Sequence, residues 1–257
     1  MKARHDQHFL IDSAAIDRIA GFVPVTGRHV LEIGPGRGAL THALLKRGAI
    51  VIAIEIDSEL VSLLEERFST EIADGRLILI CGDATRCHLP PFDIVVANLP
   101  YSASSPLTFR LLDIGFETAI LMYQWEFARK MLVPPGHPET SRLSVMVQTY
   151  ARVKPLMELS PRAFYPQPDV WSMVVRLTPV DPPVPIKDNK VYRDLVRSLF
   201  SHRRKMVKNG LKSAKGIFGA DRIDALIVSL DDEILSARPE NLLLPRFAEL
   251  ANALVED

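Results

Sequence analysis

The first two thirds of the chain alternate between short apolar runs and segments with helical spacing. Apolar runs rich in branched residues predict buried strands at residues 29–33, 50–54, 77–80, 92–97 and 119–123. Apolar residues that recur every three or four positions predict helices at residues 14–22, 58–68, 106–112 and 126–132. Strands that alternate with helices in this way indicate an α/β fold with a mainly parallel, Rossmann-like sheet.

A different pattern begins after the proline-rich segment at residues 178–185, which has the composition of a linker. A last strand is predicted just before it, at residues 174–177, and only helical spacing follows it. We therefore predict two domains, an α/β domain at residues 1–180 and a small all-helical domain at residues 181–257. Residues 143–147 could begin a helix or a strand, because their periodicity fits both.

Composition narrows the class of protein. The 257 residues are 47% hydrophobic and 24% charged, as in ordinary soluble globular proteins. The 31 basic residues are balanced by 31 acidic ones, so any contact with nucleic acid must use a local patch. No segment approaches the roughly 20 apolar residues that cross a bilayer, and no signal peptide is evident. We therefore expect no membrane association and a cytoplasmic location.

The only cysteines, Cys81 and Cys87, suit a reducing compartment, and we expect both to act as small buried hydrophobic residues. Their spacing matches no metal-binding pattern, and the pair His5 and His8 lacks a third ligand, so we expect no metal site. The remaining candidates for catalytic or binding residues are therefore the polar residues at the ends of the predicted strands.

The tetrad Asn98-Leu99-Pro100-Tyr101 directly follows a predicted strand, and open α/β sheets keep their sites at the carboxyl ends of strands. This tetrad suits methylation of an exocyclic amine on a planar base, whose lone pair is delocalised into the ring. The Asn98 side-chain oxygen and the Leu99 carbonyl, which the rigid Pro100 holds, could accept hydrogen bonds from the two N–H groups of the amine. These bonds would turn the nitrogen lone pair toward an electrophile. The Tyr101 ring offers a face for a flipped-out base. The alternative is an Asn-Pro turn with a core tyrosine.

Three further features follow the first three strands. The glycine turn at residues 34–38 lets the backbone approach a ligand, and the next helix supplies free N–H groups. Glu55 ends the second strand, where it could bind a ribose diol or, alternatively, cap the helix from Asp57. Asp83 follows the third strand and could accept from an adenine amino group. With the tetrad, these features point to S-adenosylmethionine, whose sulfonium makes the methyl electrophilic, so that transfer needs alignment rather than a strong general base.

Basic residues cluster in the helical part of the chain. Between Leu195 and Ala220 there is no acidic residue, and the basic residues are Arg197, Arg203, Arg204, Lys205, Lys208, Lys212 and Lys215. The lysines fall at helical spacing opposite an apolar stripe, which makes them a candidate surface for RNA phosphates. A solvated basic helix face is the alternative. The stripe consists of Val207, Leu211, Ala214 and Phe218.

Residues 161–168 contain too many prolines for regular structure and predict a loop. Phe164 and Tyr165 lie in it, and aromatic residues in a loop hint at ligand contact. One of the two could instead fill core.

Taken together, these motifs resemble the family of small-subunit ribosomal RNA adenine N6,N6-dimethyltransferases over nearly the whole length. The resemblance covers Gln7-His8-Phe9-Leu10, the glycine motif at 32–41, Glu55, Gly82-Asp83-Ala84, the tetrad and residues 164–170. Residues 200–205 and 238–242 are similar to the C-terminal helical motifs of the family. The glycine motif alone would indicate only a methyltransferase, whereas the combination is specific. The N-terminus and loops resemble archaeal members.

The resemblance implies a class I methyltransferase sheet and a helical domain that binds RNA or the ribosome. The implied catalytic residues are Asn98, Leu99, Pro100, Tyr101 and Phe164, whose ring would stack on the target base opposite Tyr101. The implied cofactor-binding residues are Gln7, His8, Leu10, Gly34, Gly36, Glu55, Ile56, Asp83, Ala84 and Asn98. The implied RNA-binding residues are Arg203, Arg204, Lys205, Lys208 and Lys212.

The implied substrate is a pair of adjacent adenosines in a hairpin loop near the 3′ end of small-subunit rRNA, each of which receives two methyl groups. The family also acts in ribosome assembly, so the implied partner is the immature small subunit, and we expect a monomer. Three positions depart from the family pattern. Asp6 stands where the family usually has Gly before the Gln. Trp125 follows Gln124 where a Lys or small polar residue is common, and Trp171 stands where a smaller or acidic residue is usual.

Other interpretations of the same motifs are possible. A large-subunit rRNA adenine methyltransferase shares the fold and the tetrad, but the motifs around Arg203 and Arg238 argue against it. A DNA adenine methyltransferase would need a target-recognition domain, and none is visible in the sequence. A non-catalytic factor on the same fold predicts damage at Gly34, Glu55, Asp83 or Asn98, and these residues are intact.

Overall fold

The structure is a computed structural model that describes residues 7–201 and 204–255. It divides into two compact units. The first contains the described residues up to 128 together with residues 152–179, and the second contains residues 129–151 with the described residues from 180 onward. One junction lies between residues 179 and 180, next to the boundary predicted after residue 180. Residues 129–151, which the sequence analysis assigns to the first domain, belong to the second unit.

The strands are short and belong to two sheets. In chain order they are β1 Phe9–Leu10, β2 His29–Ile33, β3 Ile50–Glu55, β4 Leu77–Cys81, β5 Ile94–Asn98, β6 Thr118–Gln124, β7 Ala151–Leu159, β8 Phe164–Tyr165 and β9 Ser172–Pro179. The larger sheet has the order β4-β3-β2-β5-β6-β9-β7, and β1 pairs with β8 in a separate two-stranded sheet. The strands predicted from apolar runs are all present within about two residues.

Most helices follow the predicted pattern. In chain order they are α1 Ser13–Ala20, α2 Ala39–Lys46, α3 Ser58–Arg67, α4 Ser69–Ala73, α5 Ser104–Ile114, α6 Trp125–Leu132, α7 Arg142–Tyr150, α8 Asn189–Ser201, α9 Val207–Ser213, α10 Lys215–Phe218, α11 Ala220–Ser229, α12 Asp232–Ser236 and α13 Leu244–Asn252. Asp12 caps α1, because its side chain accepts from the Ala15 N–H at 3.0 Å. None of the helices among these residues is long and apolar enough to span a membrane.

The order of the parallel strands creates the crevice in which the site lies. β2 pairs in parallel with β3 on one side and with β5 on the other, and Val30 stands opposite both Val51 and Ile94. The chain therefore builds outward from β2 to β4 and then crosses back to start β5. Open sheets bind ligands outside the carboxyl ends of the strands at such a reversal. Because both faces of β2, β3 and β5 are covered, their residues form nearly continuous apolar runs.

On the other side of β6 lie the predicted strand β9 and then β7, which the sequence analysis did not predict. β9 runs antiparallel to β6, so that Ser172 stands opposite Gln124. β7, at the edge of the sheet, carries Arg152, Lys154 and Pro155, which hide its strand character. Charged residues and proline are tolerated at an edge because one side of such a strand makes no ladder hydrogen bonds.

The second unit is helical, apart from the first residue of β7. The ambiguous segment 143–147 lies in α7, whose first turn is held by a capping box between Ser141 and Ser144. The hydroxyl groups of Thr149 and Tyr192 lie 2.7 Å apart and join α7 to α8. This buried contact explains why residues before β7 belong with the C-terminal helices.

The predicted apolar stripe is buried, but its helix is not continuous. Val207, Leu211 and Ala214 are fully buried, while α9 ends at Ser213 and α10 begins at Lys215. Lys205 precedes α9, so the predicted single row of lysines is interrupted.

The expectation that both cysteines are buried is wrong. Cys81 is exposed, Cys87 is half-buried, and neither is in a disulfide. Cys81 ends β4, the outermost strand on its side of the sheet, so fewer neighbouring elements cover it.

Candidate active site

A cavity of about 250 Å³ opens at the carboxyl ends of β2, β3 and β5. Every residue predicted to bind the cofactor lines it, and so does the whole tetrad. The set comprises Gln7, His8, Leu10, Gly34, Gly36, Glu55, Ile56, Asp83, Ala84, Asn98, Leu99, Pro100 and Tyr101. Residues from five separate stretches of sequence therefore meet at one place, as the parallel topology requires.

The glycine turn forms one wall of the cavity. Gly36 has a φ of +57°, and a Cβ at this position would lie 2.8 Å from the Phe9 ring. Only glycine meets both conditions without strain. The Gly36 N–H donates to Glu55 Oε2 at 3.1 Å, so the turn is fixed to the end of β3.

Glu55 is a buried carboxylate that organises the next wall. Its Oε1 atom accepts from the N–H groups of Ile56 and Asp57 at 2.9 and 3.1 Å. Asp57, not Glu55, is the N-cap of α3, because its side chain accepts from the Glu59 N–H at 2.9 Å. Glu55 is therefore held in place by backbone donors, and its carboxylate still faces the cavity.

Asp83 lies where an adenine amino group could be recognised. Its Oδ1 atom accepts from the Thr85 N–H at 2.8 Å and from the Thr85 hydroxyl at 2.7 Å, and these bonds lower the pKa of Asp83. The loop is held by Arg110 of α5, which donates to the carbonyls of Ala84 and Cys87. Ile56, whose side chain is exposed toward the cavity, offers an apolar surface for a planar ring.

The N-terminal segment closes the third side of the cavity. β1 is fixed to β8 by pairing of Leu10 with Phe164, and Gln7 Nε2 donates to Asp57 Oδ2 at 3.3 Å. The Arg37 guanidinium lies 5.2 Å from the Phe9 ring centroid, a distance typical of a cation–π contact. This segment thus reaches both the glycine turn and the start of α3. His5 and Asp6 lie outside the described residues.

Asn98 ends β5 with a defined orientation of its amide. The Asn98 Nδ2 donates to the His8 backbone carbonyl at 3.3 Å. A carbonyl can only accept, so the amide nitrogen faces His8 and the oxygen Oδ1 is directed elsewhere as an acceptor. Beyond Asn98, the Pro100 carbonyl accepts from the Ala103 N–H at 3.0 Å, which starts a tight turn at Tyr101.

Tyr101 is fixed at both ends of its side chain. Its hydroxyl lies 2.8 Å from Ser172 Oγ, and its ring centroid lies 5.7 Å from that of His8 with a tilt of 33°. Partial burial raises the pKa of the Tyr101 phenol, so the hydroxyl stays protonated near neutrality. His8 Nδ1 lies 2.8 Å from the Pro166 carbonyl and must donate to it.

Phe164 differs from the other predicted catalytic residues because it does not line the cavity. Its side chain is 1% exposed and belongs to the hydrophobic core with Leu10 and Ala163. The neighbouring Tyr165 is 65% exposed. Stacking of Phe164 on a base would therefore require its ring to leave the core.

Glu32 is a residue of the site to which sequence reasoning assigned no role. It lines the cavity with 1% exposure, and its Oε2 atom has no hydrogen-bond partner within the described part of the chain. Burial raises the pKa of Glu32 to about 8, and repulsion from Glu55 acts in the same direction. The sequence did contain a signal for Glu32, because it is the only carboxylate in the otherwise mainly apolar strand at residues 29–33. Ser172 and Thr85, which hold Tyr101 and Asp83, gave no such signal.

Four of the predicted RNA-binding residues are exposed side chains of the second unit. Arg204, Lys205, Lys208 and Lys212 make no ion pair with any residue that the structure describes, and Arg203 lies outside those residues. Two other members of the basic cluster are paired within the chain. Arg197 contacts Asp194 at 3.0 Å, and Lys215 contacts Asp224 at 2.7 Å.

The cavity fits a nucleoside with a charged amino-acid tail. Glu55 and Asp83 supply acceptors for ribose and base, and the glycine turn allows close approach. The Oε2 atom of Glu32 is a buried polar atom that finds no hydrogen-bond partner among the described residues. The sheet order and this cavity define the class as Rossmann-like methyltransferases that use S-adenosylmethionine.

Comparison with known proteins narrows the class to a family. The family described as "Ribosomal RNA adenine dimethylase" matches residues 1–239. The chain is 55% identical over 254 residues to a probable ribosomal RNA small subunit methyltransferase A of Methanospirillum hungatei, and the match covers 99% of each protein. The chain therefore belongs to the ribosomal RNA adenine dimethylase family, and its cofactor is S-adenosylmethionine.

Two crystal structures share the fold over nearly the whole chain. A dimethyladenosine transferase from Plasmodium falciparum is 30% identical with a TM-score of 0.75, and the match covers 95% of this chain and 96% of that one. The 23S rRNA methyltransferase ErmE is 26% identical with a TM-score of 0.67, and the match covers 96% of this chain and 99% of that one.

Proposed function

We propose that this enzyme transfers methyl groups from S-adenosylmethionine to N6 of two adjacent adenosines in the 3′-terminal hairpin loop of small-subunit rRNA. The observation that carries the proposal is the acceptor at Asn98, which lines the same cavity as the predicted cofactor-binding residues and Tyr101. Support for the small subunit comes from the name of the Methanospirillum relative.

Asn98 and Leu99 act on the target amine. The Asn98 Oδ1 and the Leu99 carbonyl accept hydrogen bonds from the two N–H groups of the amine, which favours a pyramidal nitrogen with an available lone pair. Tyr101 supports the base by stacking, and its hydroxyl is held by Ser172. When bound, the cofactor supplies an electrophilic methyl group. The methylated amine is acidic and releases its proton readily, so no strong base is assigned.

The second methyl transfer places a further demand on Asn98. After one methylation only one N–H remains, so the amine must rotate and use one acceptor while the cavity admits the added methyl group. The monomethyl product is then an intermediate that the same residues bind.

We assign the exposed basic residues Arg204, Lys205, Lys208 and Lys212, with Arg203, to the RNA backbone. The charges of the first four have no partner among the described side chains, so binding of phosphate breaks no existing ion pair there. We also propose a role in assembly of the small subunit, with the enzyme acting as a monomer in the cytoplasm. The unpaired Cys81 and Cys87 agree with a reducing compartment.

The substitution Asn98→Ala tests the mechanism. Loss of one acceptor should reduce transfer by roughly a hundredfold or more, by analogy with removal of one preorganised hydrogen-bond partner elsewhere. Labelled cofactor, small subunits that lack the modification, and nucleoside analysis of the product give the readout. Calorimetry should still detect cofactor binding. Full activity of Asn98→Ala would refute the mechanism.

A second candidate is methylation of large-subunit rRNA, which the similarity to ErmE favours. A substrate exchange separates the two. Dimethyladenosine in small subunits, with none in large subunits or DNA, supports the proposal. Product in large subunits alone would favour the second candidate.

A further inference from the structure

The loop at residues 166–171 carries exposed aromatic surface at both ends. Tyr165, at the end of β8, is 65% exposed, and Trp171, just before β9, is 52% exposed. Their immediate neighbours Phe164 and Ser172 are buried. Single exposed apolar side chains are common, whereas two large aromatic residues on one short loop beside an active site indicate a contact surface.

Both ends of this loop are held by hydrogen bonds. The Pro166 carbonyl accepts from His8 Nδ1 at 2.8 Å, and the Trp171 carbonyl accepts from the Trp125 backbone N–H at 2.8 Å. Trp125 is itself fixed, because its indole N–H donates to Glu158 at 2.8 Å. The aromatic side chains therefore project from an ordered backbone, and a ligand that contacts them needs to order little of the chain.

Trp171 is next in sequence to a residue that holds the base site. Ser172 contacts the Tyr101 hydroxyl at 2.8 Å, and Trp171 is the residue before it. Consecutive Cα atoms are about 3.8 Å apart, and consecutive strand residues point to opposite faces. The backbone of Trp171 therefore lies one residue from the contact that fixes Tyr101, while its side chain is exposed to solvent.

We propose that Trp171, together with Tyr165, stacks an unpaired nucleotide that flanks the target adenosine. The inference rests on the RNA substrate of the proposed function. A flipped-out target base leaves its neighbour without one stacking partner, and an indole face replaces that partner for any of the four bases. The contact would hold the strand beside the target while the target base occupies the site at Tyr101.

The two tryptophans of the chain make this contact measurable. In the variant Trp125→Phe, Trp171 is the only tryptophan, and its fluorescence reports stacking. The probe is an RNA hairpin with two adjacent adenosines in its loop, compared with the same hairpin made abasic on both sides of that pair. We expect quenching by the first hairpin and much less by the second. Equal quenching by both, or none with bound RNA, would overturn the inference.

Affinity for the same hairpin gives a second readout. Trp171→Ala should weaken binding about tenfold, the size expected for loss of one stacked base, while Trp171→Phe should stay within about twofold. Cofactor binding should be unchanged in both, which also reports that they fold. Unchanged RNA affinity in Trp171→Ala would contradict the proposal. If that variant fails to fold, the abasic comparison still decides.

Two failures remain distinguishable. If wild-type enzyme methylates no small subunits, the proposed substrate is wrong, yet the fluorescence comparison still shows whether Trp171 stacks on RNA. Quenching by whole subunits without quenching by naked RNA would instead indicate a protein contact and would overturn the inference.

Discussion

Replacement of Glu32 by glutamine should remove a pH-dependent loss of stability. Burial raises the pKa of this carboxyl group from about 4.5 to about 8. Between these values the native protein keeps a proton that the unfolded chain has released. The free energy of unfolding therefore falls as pH rises from about 4.5 to 8, and the loss persists at higher pH.

The size of the effect follows from the shift. At about 1.4 kcal/mol per pKa unit, the Glu32 contribution changes by roughly 5 kcal/mol across this range. The glutamine side chain has nearly the same shape but no ionisable group. Since 1 kcal/mol moves the melting temperature of a domain of this size by about 2–4 °C, the difference between wild type and Glu32→Gln should change by about 10–20 °C from pH 5 to pH 9.

Thermal unfolding of both proteins at pH 5, 7 and 9 measures this directly. Glu66→Gln, on the exposed face of α3, is the matched control for loss of one carboxylate. Wild type and the control should lose stability together, while Glu32→Gln should lose less. Parallel curves for wild type and Glu32→Gln would show that the buried carboxyl does not titrate in this range, and the reasoning from its burial would fail.

Three further results are expected. Gly36→Ala should weaken cofactor binding at least tenfold by calorimetry, because its Cβ would lie 2.8 Å from an aromatic ring in a left-handed backbone; unchanged affinity would argue against close approach at this turn. Lys208→Ala and Lys212→Ala should each lower the salt dependence of RNA binding by about one phosphate contact, while Lys46→Ala should not; equal slopes for all three would exclude the basic surface from RNA binding. Tyr101→Phe should keep most methyl transfer and Tyr101→Ala should lose it, since the ring face supports the base; equal activities would exclude stacking.

The strands were predictable because local composition decides them. Residues 29–33 and 50–54 are covered on both faces, so burial alone forces an apolar run. β7 was not predicted, because an edge strand tolerates the charged residues and the proline, Pro155, that usually indicate a loop. The helix at residues 142–150 needed its capping box and its packing on Tyr192, and neither is visible in the periodicity of residues 143–147.

The polar residues of the candidate site could be predicted from the sequence, but the directions in which its aromatic side chains point could not. Acceptors at strand ends, such as Glu55 and Asp83, follow from topology. Of the adjacent aromatic residues Phe164 and Tyr165, one had to face the core, and only the pairing of β1 with β8 decides which. Sequence pattern cannot supply that choice, because both residues are large and aromatic.

His8 illustrates why the remaining geometry lies beyond local patterns. Its carbonyl orients the amide of Asn98, 90 positions away, and its ring nitrogen holds Pro166, 158 positions away. Its ring also contacts that of Tyr101. One residue of the N-terminal segment thus fixes the acceptor for the target amine and positions the loop that carries Trp171. The segment that lines the cofactor cavity therefore also holds the base site, because the side chain and carbonyl of His8 contact residues of both.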